Sequence, residues 1–266
     1  NNIDSLAAAY DANAEAVVCC YRKLGSPFYF GAKAMTVSGT TITVGSEKNL
    51  LSQQVGFCDV VFDSNVNRLV FAALDFDNSY ALKSVVATVS GTTITSGSAQ
   101  TIHSATYNHQ MVFDSGSNKV IIVYRDNANS LYGAARVLTV SNSGNSLSVG
   151  NATYFNSDRS DNPRVGYDAN ANKSLVLYTD YNNSEYQTLQ VGTVSGTSIS
   201  FGSKITGFAD HGSATRDIAY DPDNQNMALF MRRWTASLND FVYFPVTVSG
   251  TSATVGSPST ILTSSD

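Results

Sequence analysis

Short apolar runs separated by polar turns dominate the chain. Asp59-Val60-Val61-Phe62-Asp63, Leu69-Val70-Phe71-Ala72-Ala73-Leu74, Val120-Ile121-Ile122-Val123-Tyr124 and Leu175-Val176-Leu177-Tyr178 are brief and rich in β-branched and aromatic residues, so each predicts a strand. A strand ending in an aromatic-Asp pair leads through a polar turn into such an apolar run. A loop rich in Asp, Asn and Ser then precedes a longer strand, Tyr80 to Val89, and a Ser-Gly pair turns it tightly into a polar fourth strand such as Thr93-Ile94-Thr95. Alternation in the fourth strand suits one covered face and one wet face.

This unit of about fifty residues recurs along the whole chain. Thr36-Val37-Ser38-Gly39-Thr40 returns at Thr88 to Thr92, Thr193 to Thr197 and Thr247 to Thr251, and Thr139-Val140-Ser141-Asn142-Ser143-Gly144 fills the missing third place. The aromatic-Asp marker occurs in step with it, at Tyr10-Asp11, Phe62-Asp63, Phe113-Asp114, Tyr167-Asp168 and Tyr220-Asp221. A twisted four-stranded sheet cannot bury both faces alone, so repetition at this period predicts blades packed face to face around an axis. The expected fold is all-β: a five-bladed β-propeller with four antiparallel strands per blade, closed without an obvious shared blade. One domain spans 1–266, with blades at about 1–52, 53–104, 105–157, 158–209 and 210–266. Because no blade is divided between the termini, closure is expected to rest on packing of the first blade against the fifth. Small residues two places before each turn Asp (Ala9, Val61, Val112, Gly166, Ala219) suit inner strands crowding an axis.

Composition narrows the function. Charged residues are 14% of the chain and the net charge is −5, which disfavours a sequence-independent grip on nucleic acid or anionic lipid. No run approaches the ~20 apolar residues that span a bilayer, and Asn1-Asn2-Ile3-Asp4 reads as the start of a mature form or an excised domain. Cys19, Cys20 and Cys58 are an odd number, two of them adjacent in an apolar run, and read as buried thiols. His103, His109 and His211 lack metal-ligand spacing, and no Gly-x-Ser-x-Gly elbow occurs, so no catalytic residue, metal or cofactor is assigned.

Residues repeated in every blade are best explained by what every blade needs, and the five turn Asp residues read as backbone-capping carboxylates. Departures from the repeat are therefore the candidates for binding. Four residues before each turn Asp stand Ala7, Asp59, Gln110, Arg164 and Asp217, four of them polar in a column where Val would serve the blade. Twelve residues after each turn Asp, at the ends of second strands, stand Lys23, Asp75, Asp126, Asp180 and Arg233, a mixed-sign ring that reads first as charge pairing between blades. The loops that follow, including Asp180-Tyr181-Asn182-Asn183, set carboxylates, amides and rings side by side, a combination suited to sugars. Blade five departs most, with Arg232-Arg233-Trp234. The candidate ligand-binding residues are Asp59, Gln110, Arg164, Asp217, Asp180, Tyr181, Arg232 and Trp234.

The unit formed by the aromatic-Asp pair, the apolar strand, the Asp-x-x-Asn-Ser loop and Thr-Val-Ser-Gly-Thr-x-Ile-x-x-Gly-Ser resembles tandem repeats of marine phage and marine bacterial proteins, as at Asp75 to Ser98 and Asp180 to Ser203. In blade count the chain is also similar to five-bladed lectins and furanosidases. The phage resemblance implies a virion-associated or surface attachment role and an extracellular or virion-associated location. The leading expectation is a non-enzymatic module that binds a glycan or cell-surface receptor. A structural propeller domain of a larger fibre-like protein is the second reading. A glycosidase of the furanosidase kind is the third, and that resemblance places Asp4 and Asp59 at comparable starts of first strands. The general acid of such an enzyme is usually Glu, yet Glu15, Glu47 and Glu185 do not fall at the equivalent position of the third blade.

Overall fold

A computed structural model describes residues 2–25, 27–208, 216–234 and 239–263; of residues 2, 234 and 239 only the backbone is described. The first sheet contains β1 (Asn2–Asp11), β2 (Ala16–Leu24), β3 (Tyr29–Ser38), β4 (Thr41–Val44) and β5 (Lys48–Leu51). The second contains β6 (Val55–Asp63), β7 (Arg68–Asp75), β8 (Ala81–Ser90), β9 (Thr93–Ser96) and β10 (Gln100–His103). β11 (Thr106–Asp114), β12 (Lys119–Asp126), β13 (Tyr132–Val140) and β14 (Leu147–Val149) make the third. β15 (Thr153–Asp168) serves two sheets: its first part pairs with β13, and from Ser160 it pairs with β16 (Lys173–Asp180), followed by β17 (Tyr186–Ser195) and β18 (Ser198–Phe201). The fifth sheet contains β19 (Arg216–Asp221), β20 (Asn226–Trp234), β21 (Asn239–Ser249), β22 (Ser252–Val255) and β23 (Ser259–Leu262). The fold is all-β, a five-bladed β-propeller with antiparallel blades. Among the described residues no helix is long and apolar enough to cross a membrane.

Each blade has the expected four antiparallel strands, and a further short segment adds to its third strand. The third strand runs for ten residues in β3 and β8, whereas the hairpin partners β4 and β9 run for four. Half of the third strand's outer edge would therefore be left with unpaired backbone groups. A further short segment covers that half: β5 pairs with the start of β3, β10 with β8, the start of β15 with β13 and β23 with β21, while Ile205 bridges to Leu189 of β17.

Compactness divides the chain into two units, one of residues 1–107, 118–120 and 138–149, the other of 108–117, 121–137 and 150–266. In the first unit, Ala16, Val18, Cys20, Ala32 and Ala34 of the first sheet pack on Val60, Leu69, Phe71, Ala87 and Ile94 of the second. In the second unit, Ile121 and Val123 meet Val165, Val176 and Ile199, and Leu175, Leu177 and Leu189 meet Met227, Leu229 and Phe244. Small side chains on one face and larger ones on the next allow close stacking of successive sheets.

Two recurrent devices hold these sheets. The turn Asp residues cap their own turns: Asp11 Oδ1 accepts the amides of Asn13 and Ala14 at 3.0 and 2.9 Å, and Asp63, Asp168 and Asp221 repeat the pattern. Asp114 takes the Ser117 amide at 2.9 Å. A glycine, followed by Ser in four blades and by Asn151 in the third, then leads the chain away from the outer hairpin. Gly45, Gly97, Gly150, Gly202 and Gly256 donate their amides to third-strand carbonyls of Ala34, Val86, Val137, Val191 and Pro245 at 2.8 to 2.9 Å. The first four also lie directly against the outer hairpin of the following blade, at Thr92, Asn145, Thr197 and Thr251.

Candidate functional site

The first strands are not regular where they begin. Pairing slips between Asp4 and Ala7, between Gly56 and Asp59, and between Asp161 and Arg164, which marks β-bulges. The residue six places before the turn Asp is left-handed at these three bulges, Ser5, Phe57 and Asn162, and so is its counterpart Asn108, with φ between 49° and 54°. Short polar side chains tolerate that region, and Asn does so best. The bulges also link neighbouring blades, since the Cys58 amide donates to Ser5 Oγ at 2.7 Å and the Asn108 amide group donates to Asn162 Oδ1.

Within the first unit the bulges open onto a cavity of about 390 Å³ lined by Asp4, Ser5, Arg22, Gly56, Phe57 and Phe76. Arg22 grips the Asp4 carboxylate with two donors, Nε to Oδ1 at 2.6 Å and Nη2 to Oδ2, and donates through Nη1 to the Val55 carbonyl at 3.3 Å. Its guanidinium carbon lies 5.7 Å from the centre of the Phe76 ring. Phe57 is 37% exposed and meets Tyr107 edge-on at 5.1 Å. A side chain at Gly56 would overlap the Phe76 ring, so this glycine makes room for the aromatic wall. Asp59, two residues along β6 from Phe57, is half-buried, and its carboxylate accepts the Val60 amide at 2.8 Å.

In the second unit, three of the expected first-strand residues come together. Gln110 Nε2 donates to Asp217 Oδ1 at 3.3 Å, and Gln110 Oε1 accepts the Val165 amide at 2.8 Å. Arg164 donates to the Arg216 carbonyl at 3.3 Å. Beside them Tyr181 lies under the Arg159 guanidinium, 3.8 Å from ring centre to carbon, and Arg159 and Arg125 both grip Asp161. Burial alone would raise the Asp161 carboxyl, but hydrogen bonds from Arg159 and Arg125 outweigh it and hold the group below the usual carboxylate range.

Neither a protein-family model nor a curated protein matches the chain. Among solved structures it is similar to an exo-beta-1,3-galactanase from Phanerochaete chrysosporium with beta-1,3-galactotriose, at TM-score 0.52 and 11% identity over 92% of this chain and 60% of that one. The corresponding enzyme from Clostridium thermocellum gives 0.52, 8%, 93% and 60%, and Sqt1 from Chaetomium thermophilum gives 0.58, 10%, 98% and 62%. The likeness is one of fold. The chain spans about 60% of the length of those two galactanases.

Other expected residues lie elsewhere. Asp180 is 1% exposed, and its carboxylate is taken by Lys204 Nζ at 2.7 Å and Asn156 Nδ2 at 3.2 Å, so it braces the fourth blade from inside and presents no free oxygen to a ligand. Four of the five second-strand ring residues have partners within their own blade: Lys23 with Glu47, Asp180 with Lys204, Arg233 with Asp240, and Asp126 with the Tyr154 hydroxyl. The reason is that the third strand and the edge-covering segment of the same sheet lie closest to each second-strand end. Arg232 is exposed on β20, and the Trp234 side chain and His211 lie outside the described residues. Cys20 and Cys58 are buried and all three cysteines are free; burial pushes the Cys58 thiol up to about 12.

Sequence reasoning missed Arg216, Arg22 and Phe57. Arg216 is 5% exposed and donates to the carbonyls of Asp161 and Asn162, to Thr179 Oγ1 at 2.8 Å and to Gln187 Oε1. Burial, with Arg164 nearby, pushes its guanidinium down to about 9. Its signal was a charge in the column Leu6, Cys58, His109, Pro163, Arg216.

Proposed function

We propose that the chain recognises a glycan through the cavity at the starts of β1 and β6. The observation that carries this reading is the cavity at Asp4, Ser5, Arg22, Phe57 and Phe76, where aromatic rings and fixed hydrogen-bonding groups line one small space. Rings cover apolar C–H faces of sugars, while oriented polar groups take the hydroxyls. The resemblance of the repeat to phage proteins supports placing this recognition on a virion or cell surface.

A second reading, glycoside hydrolysis, is favoured by the fold shared with galactanases and by Asp4 at the cavity. Hydrolysis with inversion or retention ordinarily needs two carboxyl groups flanking the bond. Among the described lining residues Asp4 is the one carboxylate, both of its oxygens are bound by Arg22, and the third blade's first strand, Thr106–Asp114, contains no Glu. The shared fold supports hydrolysis, and the paired Asp4 carboxylate supports binding; turnover decides between them. A glycan array tests binding: hits with no release of reducing sugar are expected. An array without hits would sink the binding reading, and turnover abolished by Asp4→Asn would establish the enzymatic one.

A further inference from the structure

Phe57 stands where the backbone does not want it. The equivalent bulge residues are Ser5, Asn108 and Asn162, all left-handed like Phe57 at φ 54°. A bulky aromatic residue in that region is a genuine outlier, and such outliers persist where the surrounding structure and a function hold them. Burial does not explain the ring, because it is 37% exposed and faces the cavity. Gly56 next to it leaves room for the Phe76 ring, so two consecutive positions of β6 depart from what a blade needs in order to give the cavity an aromatic wall.

We infer that Phe57 is the stacking platform of a subsite for one uncharged sugar residue. This rests on the glycan-binding reading and names the ligand class of that site. Charge selects the class. Arg22 spends its Nε and Nη2 on Asp4 and its Nη1 on Val55, so the one cation and the one anion among the described lining residues cancel each other. A uronate or phosphate would have to break that pair to find a counter-charge, whereas a neutral hydroxylated ring uses the pair as it stands. The cavity of about 390 Å³ sits at the small end of ligand sites, which suits a single ring.

The experiment uses the full chain against a panel of neutral oligosaccharides, beta-1,3-galactotriose among them, and their uronic-acid counterparts. Phe57→Asn removes the ring and suits the left-handed backbone, so affinity for neutral glycans falls by about tenfold or more while Tm rises by about 2–4 °C. Phe57→Tyr keeps the platform and retains binding. Native binding left intact by Phe57→Asn overturns the inference while the glycan reading stands. A lower Tm in Phe57→Asn overturns it as well, by making the ring structural. Uronic glycans bound as tightly as neutral ones overturn the assigned class, and a native protein that binds no glycan overturns both inference and reading.

Discussion

Alanine at Gly45, Gly97, Gly150 or Gly202 puts a methyl group where the next blade already has a carbonyl oxygen. The added carbon at Gly45 overlaps Thr92 O and lies 2.7 Å from Thr92 Cβ; at Gly97 it overlaps Asn145 O, 2.9 Å from the carbonyl carbon; Gly150 and Gly202 meet Thr197 O and Thr251 O in the same way. Ordinary carbon contacts lie at ~3.5–4.0 Å, so relief requires the two blades to move apart, and the obstacle is backbone that no rotamer change removes. Gly→Ala on its own stabilises by about 0.4–1 kcal/mol through the unfolded chain, but overpacking costs about 1–3 kcal/mol or more, so the clash sets the sign. Gly256 provides the internal comparison. Its nearest neighbour is Pro245 Cγ at 2.8 Å, a ring atom of its own blade that can shift. Urea denaturation of the five single variants is expected to show losses of about 2 kcal/mol or more at Gly45, Gly97, Gly150 and Gly202, and about 1 kcal/mol or less at Gly256. Equal midpoints across all five, or gains at the first four, would refute the stacking geometry.

Other consequences are open to direct measurement. Gly91→Val and Gly250→Val place a β-branched residue at φ 55° and 61° in the outer hairpins and should each cost about 1 kcal/mol or more in denaturant melts. Arg216→Ala strands the carbonyls of Asp161 and Asn162 and the side chains of Thr179 and Gln187, and should cost about 3 kcal/mol by the same measurement. Asp161 has a depressed folded pKa, so its contribution is present above the unfolded value of ~3.9 and is lost as pH falls through the lower folded value. Thermal melts from neutral to acidic pH should therefore fall less steeply for Asp161→Asn than for the native chain.

What the sequence showed depends on how far apart the interacting residues lie. The turn Asp residues and the Ser-Gly hairpin were legible because donor, acceptor and turn fall within a few residues, and five copies repeat them. Asp180 was misread because its partners, Lys204 and Asn156, lie 24 residues away on either side, at a separation no local pattern encodes. A column of polar substitutions singled out Gln110 and Asp217, and the two are in contact across 107 residues. Phe57 was hidden for another reason. In an apolar strand a Phe is unremarkable, and only the backbone angle, with Ser5, Asn108 and Asn162 as its counterparts, shows it to be out of place.

The contact between the glycine that follows one outer hairpin and the hairpin of the next blade has a consequence for how such a gene can change. Four junctions are made by equivalent short segments, one on each of two successive copies, as at Gly45 with Thr92 and Gly202 with Thr251. Duplication or loss of a whole copy by recombination brings the same motifs together again and creates no junction of a new kind. A point change at one of these glycines, by contrast, damages a junction that no neighbouring copy can repair. The glycine and the hairpin opposite it must therefore be kept as a matched pair, even where the rest of a copy changes.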